Sequence, residues 1–122
     1  MTTPDAGALV QRLLDCFNTR RFDDADALTT PDFYSHPLSA TGFEAGKQAW
    51  RHLVTQFPDI HVVVEDVLVD GNKVAVRSTV HGVPLPDGGP QPMMIEIFHI
   101  DDGRIAENWA IGQGLPYRAE TL

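Results

Sequence analysis

Two side chains in this chain are well suited to moving protons: one carboxyl and one imidazole. Glu96 lies in the segment Met93 to Ile100, in phase with Met94, Phe98 and Ile100. Period-two alternation places these four on one face of a strand, and an apolar face turns inward. A carboxyl desolvated there has its pKa raised and can stay protonated as a hydrogen-bond donor. The structural alternatives are a reversed face or an ion pair with Arg77. His36 carries an imidazole, a group that can accept or donate a proton without special tuning. The following Pro37 restricts its backbone and helps aim the ring. It could equally be a loop histidine bonded to backbone. Tyr34 shares the side of His36 in a short extended piece, where it could hold a substrate oxygen or fill the core.

The aromatic residues read mainly as walls for a small apolar molecule. Phe17, Trp50, Phe57 and Phe98 fall at apolar positions of helical or strand patterns, as expected of substrate-binding walls. Trp109 is in phase with Ile105, Glu107 and Ile111, and either floors a cavity or faces a second subunit. The other side of the Glu96 strand, Met93, Ile95, Ile97 and His99, is also apolar, which suits a sheet whose back packs on a second copy. A homodimer is therefore expected. Arg77 and His81 share one strand face, while His52 and His61 are expected in solvent. None of the five histidines falls in a convincing metal-ligand pair, so no metal is expected. His81 and His99 could still meet across neighbouring strands. Neither a glycine-rich phosphate loop nor a local Ser-His-Asp signature is present.

These residues need elements to position them. Leu9, Leu13, Cys16 and Phe17 recur at helical spacing after Pro4 and Asp5, and the polar run Asn18 to Arg21 ends the pattern. Phe22 to Leu28 predicts a second short helix, stopped by Pro31. Phe33 to His36 alternates as an extended piece closed by Pro37. A third helix follows Thr41-Gly42, with Phe43, Trp50, Leu53, Val54 and Phe57 as its apolar positions, and Pro58 terminates it. The second half changes period. Ile60 to Val69 is rich in β-branched residues, and Asp70-Gly71-Asn72 turns it into a returning strand from Lys73 to Gly82. Pro84 to Pro92 is a loop that could close over a pocket. Met93 to Ile100 and Arg104 to Ile111 form two more strands about Asp101-Asp102-Gly103. Helices first and a meander afterwards predict an α+β domain with helices packed on one face of an antiparallel sheet.

Composition sets the outer bounds. The chain has 122 residues, 17 acidic and 9 basic, for a net charge of −8. That length predicts a single domain over residues 1–122. The acidity argues against nucleic acid, which needs clustered Lys and Arg, and disfavours an anionic membrane surface. The lone basic pair, Arg20-Arg21, is followed at once by Asp23, Asp24 and Asp26. Apolar runs are too short to span a membrane. Cys16 is the lone cysteine and falls in an apolar helical pattern, so a buried inert thiol and a cytoplasmic setting are expected.

Several short segments, in order, resemble one family. They are Phe33-Tyr34-Ser35-His36-Pro37, Gly42-Phe43-Glu44-Ala45-Gly46 and Phe57-Pro58-Asp59, followed by Asp70 to Arg77, Phe98 to Ile105, and Glu107-Asn108-Trp109. Over about residues 8–113 the chain resembles the SnoaL-like polyketide cyclases of the nuclear-transport-factor-2-like superfamily. The resemblance implies a cone-shaped fold, a curved antiparallel sheet covered by three N-terminal helices and enclosing a pocket. It also implies cofactor-independent acid/base chemistry. The ketosteroid isomerases share that fold: His36-Pro37 resembles the position of their general base, and Glu96 that of their oxyanion-stabilising acid. Their oxyanion tyrosine has no counterpart, since Cys16 and Phe17 occupy its neighbourhood. Where SnoaL-like cyclases commonly carry an acidic residue, this chain has Gln113, which cannot carry a proton. The expected activity is that of a cyclase or isomerase on a small apolar carbonyl compound, polyketide-like or terpenoid, with His36 as base and Glu96 as oxyanion donor. The alternative is a non-catalytic module that binds a small hydrophobic ligand on the same fold. That fold alone does not separate the two.

Overall fold

The structure is a computed structural model that describes residues 5–85 and 88–118. The Asp5 carboxylate accepts a hydrogen bond from the Gly7 amide and caps helix α1 (Ala6–Asn18), whose buried stripe runs from Leu9 to Phe17. A 3-10 helix (Phe22–Ala27) leads into strand β1 (Thr29–Ser35), which turns back through the short β2 (Ala40–Thr41). Helix α2 (Glu44–Gln56) follows, then four long strands: β3 (His61–Asp70), β4 (Lys73–His81), β5 (Met93–Asp101) and β6 (Arg104–Gln113). The strands form one curved six-stranded sheet in the order β2-β1-β6-β5-β4-β3.

Two details differ from expectation. Only two of the three helical segments among the described residues are α-helical, because the short Phe22–Ala27 stretch winds as a 3-10 helix. The sheet is also mixed: β1 runs parallel to β6, with the helical α2 and the β3–β5 meander making the crossover between them. The Pro84–Pro92 loop includes Pro86 and Asp87, which lie outside the described residues, as do residues 1–4 and 119–122.

The core lies between α1, α2 and the inner sheet face, built on Leu13, Phe17, Trp50, Leu53, Val76, Val80, Met94 and Phe98. Polar ties fix the helices to the sheet. Asn18, at the end of α1, donates to the Val62 carbonyl and accepts from the Val62 amide, both at 2.9 Å. The Arg20 guanidinium donates to the carbonyls of Phe17, Pro58 and Ile60 at 2.7–3.0 Å, joining α1 to the α2–β3 connection. Lys47 of α2, buried, reaches Asp23 and Asp26 around the 3-10 helix as well as Glu44. The hydrogen bonds it donates, first to Asp26, hold its ammonium well above the usual lysine range.

Candidate active site

A pocket lies between the inner sheet face and the two α-helices, with a free volume of about 40 Å³. Phe17, Trp50 and Phe98, three of the expected walls, line it. Phe33, Phe43, Trp50 and Phe17 form a chain of edge-on ring contacts along one side, with centroids 5.0–5.6 Å apart. Into this apolar wall project three polar side chains: Ser35 from β1, Glu96 from β5 and Asn108 from β6.

Glu96 is where its strand parity places it. It is 8% exposed, and Asn108 Nδ2 donates to its Oε2 at 3.4 Å. Burial pushes its pKa up to about 7, against a smaller opposing pull from the Asn108 hydrogen bond. At neutral pH the carboxyl is therefore substantially protonated and able to donate. Arg77 is not its partner. It lies on the outer face of β4, where its Nε meets Asp66 Oδ2 at 2.6 Å.

The expected meeting of His36 and Glu96 does not occur. Phe33 and Ser35 of β1 turn inward and line the pocket, so Tyr34 and His36 take the outer side. There His36 Nε2 lies 2.6 Å from Glu107 Oε2, its ring stacks on Trp109 at 4.6 Å, and Tyr34 meets it edge-on at 4.8 Å. His99 Nδ1 reaches the other Glu107 oxygen at 3.4 Å. The His36 hydrogen bond holds the Glu107 carboxyl below its usual range. His81 stacks on His61 rather than meeting His99. Among the described residues, no group of three or more His, Cys, Asp or Glu is arranged to hold a metal ion.

Trp109, Phe57 and Gln113 also fall outside the pocket lining. Trp109 is turned outward by a bulge in β6. His99 pairs with Glu107 but Ile100 pairs with Ile105, so Ala106 is an extra residue and the inside-outside phase reverses there. Ile105 stays fully buried, whereas Glu107 and Trp109 point out and Asn108 points in. Phe57 ends α2 and packs on Tyr117 at 6.1 Å, and Gln113 is exposed at the end of β6 opposite Met93. No described residue of the Pro84–Pro92 loop lines the pocket.

The sequence reading missed Asn108, Ser35 and Tyr117. Among the described residues, Asn108 Oδ1 and the Tyr117 hydroxyl are buried without a hydrogen-bond partner, as is Thr30 Oγ1. Burial, with the nearby Glu96 charge adding to it, holds the Tyr117 phenol above its ordinary pKa. For Asn108 the available signal was the strand bulge, which period-two counting cannot register.

A two-helix layer on a curved mixed sheet, with one buried carboxyl in an apolar pocket, defines an NTF2-like α+β domain. The family model of the SnoaL-like domain matches residues 10–108, so the chain belongs to the SnoaL-like family. Similar solved structures agree. A loop-truncated variant of IdmH, a candidate polyketide cyclase of Streptomyces antibioticus, is 25% identical at TM-score 0.77, covering 89% of this chain and 93% of that one. A candidate polyketide cyclase from Bacillus cereus ATCC 10987 is 28% identical at TM-score 0.74, covering 86% and 72%. A SnoaL-like polyketide cyclase from Agrobacterium tumefaciens, 17% identical at TM-score 0.77 and covering 93% of both chains, is alike in fold. No curated protein matches in sequence. Among the described residues, no helix is long and apolar enough to cross a membrane.

Proposed function

We propose that this protein is a cofactor-independent acid/base enzyme of the cyclase or isomerase type, acting on a small apolar carbonyl compound such as a polyketide-like or terpenoid intermediate. The observation that carries this is Glu96, a carboxyl buried in an apolar pocket with its pKa near neutrality. In its acid form it donates to the carbonyl oxygen and strengthens that bond as negative charge develops there. Polarising the carbonyl acidifies the adjacent C–H bond, whose proton passes to solvent water, the step shared by enolisation and ring closure. Family membership and the cyclase neighbours support the same class. His36 lies on the other face of the sheet, so the proposal rests on Glu96 rather than on a His36–Glu96 pair.

The test is exchange of the protons beside the carbonyl in a panel of short ketones, followed by NMR in heavy water. Glu96→Gln, which keeps the shape but has no acidic proton to give, is expected to slow exchange by about 10²–10⁴-fold. His36→Ala is expected to leave the rate unchanged; a large loss in that folded variant would return the base role to His36. A binding module is the second reading, favoured by one observation: Glu96 is the single titratable side chain among the described lining residues. Ketone binding without exchange in the wild type would decide for it. We also propose that the outer sheet face docks a second copy of the chain, and that the protein works in the cytoplasm as a homodimer.

A further inference from the structure

We infer that Asn108 is a specificity-determining residue: its side-chain carbonyl accepts a hydrogen bond from a ligand hydroxyl, while the Glu96 carboxyl donates to the ligand's carbonyl oxygen. This rests on the donor role proposed for Glu96. The pocket's polar atoms carry the argument. Asn108 is 6% exposed and lines the pocket. Its amide nitrogen is directed at Glu96 Oε2, and its Oδ1 has no hydrogen-bond partner among the described residues. Ser35 Oγ accepts from the Leu38 amide at 3.2 Å, which leaves its O–H as a further donor. The pocket thus presents the Glu96 and Ser35 hydroxyl groups as donors and, in Asn108 Oδ1, an acceptor that no described residue pairs, among apolar walls.

A plain ketone can answer only the donors, and it leaves Asn108 Oδ1 buried and unpaired. A buried polar atom that the ligand fails to pair is what makes hydrogen-bonding sites selective. The fitting class is a carbonyl compound that also carries a hydroxyl nearby: a β-hydroxy ketone, or the enol form of a 1,3-diketone. Both place a donor and an acceptor a few bonds apart on a small apolar skeleton. The modest free volume favours short chains for a first measurement.

The test compares 2-butanone, 4-hydroxy-2-butanone and 4-methoxy-2-butanone, titrated at pH 6 against ¹⁵N-labelled protein. The indole resonance of Trp50, a pocket wall, is the readout. The hydroxy-ketone is expected to bind about tenfold tighter than the other two. Asn108→Leu is expected to abolish that preference, the hydroxy- and methoxy-ketones then binding alike. Should this variant not fold, the hydroxy-against-methoxy comparison in the wild type carries the test alone. Equal affinities for those two overturn the inference, since the Asn108 carbonyl would then not be selecting a hydroxyl. A preference that survives in folded Asn108→Leu overturns it as well. The proposal beneath it fails separately: if 2-butanone binding does not weaken as pH rises above 7, Glu96 is not the donor. No detectable binding of any of the three overturns both.

Discussion

Burial carries the ionisation of Glu96 into the neutral range. Its pKa is about 7 in the folded state against an ordinary 4.5, so the folded protein holds a proton that the unfolded chain releases. The stability this represents is fully present below pH 4.5 and is lost as pH rises through about 7. The span corresponds to roughly 3 kcal/mol as an upper bound. Glu96→Gln is therefore expected to unfold at higher denaturant than the wild type at pH 8, and to lose that advantage at pH 4. Urea melts at the two pH values check it; a Gln variant weaker at both would mean that the carboxyl is stabilised in its charged form. Ketone turnover is expected to fall through the same pH, because the acid form is the working one. The sequence made Glu96 legible because β5 alternates without interruption. Asn108 was hidden by the bulge at Ala106, which exchanges inside and outside two residues before it. His36 was misplaced because its strand offered two phases. The phase of Phe33 and Ser35 won the inner face, as burial of a phenylalanine favours.

At the scale of elements, the pocket depends on connections that hold helices at a fixed distance from the sheet. Gly82 follows β4 with φ of +75°, and a Cβ there would stand 2.0 Å from the Asp59 carbonyl oxygen. No side chain can move aside to relieve a clash with backbone. Gly82→Ala is expected to destabilise the fold by about 2–4 kcal/mol through strain at the α2–β3 connection. A thermal melt within a degree or two of wild type would show that this connection yields. Lys47 is the second such point, since its buried ammonium gathers carboxylates from the 3-10 helix and its own first turn. Its partners are mostly exposed, so Lys47→Met, which keeps the apolar stem, is expected to cost only about 1 kcal/mol, and Lys47→Ala more. Denaturant titration of the two variants separates stem from charge. The helices, strands and their order were readable from periodicity and turn residues. The 3-10 winding and the parallel β1–β6 pairing were not, because they are set by how distant segments meet.

Across the whole molecule, the outer sheet face carries apolar side chains that the core leaves exposed. Cross-strand register lines up Leu68, Ala75, Ile97 and Trp109 from β3 to β6. Beside that row run Asp66, Arg77, Ile95 and Ile111, and on its other side Asp70, Lys73, His99 and Glu107. Leu68 and Ile111 are each 69% exposed, and Ile97 is 43% exposed. An apolar row flanked by rows that each carry both charge signs is self-complementary under a two-fold axis, where a patch meets itself. Such a pairing also suits a chain of net charge −8, because local opposite charges offset the overall repulsion between copies. Light scattering is expected to give twice the chain mass at micromolar concentration. Ile97→Glu, a charge set in the middle of the apolar row, is expected to halve that mass. The pocket opens from the other side of the sheet, so the same variant is expected to keep its ketone binding. A wild-type monomer, or an Ile97→Glu protein that remains dimeric, would place the second copy elsewhere or remove it.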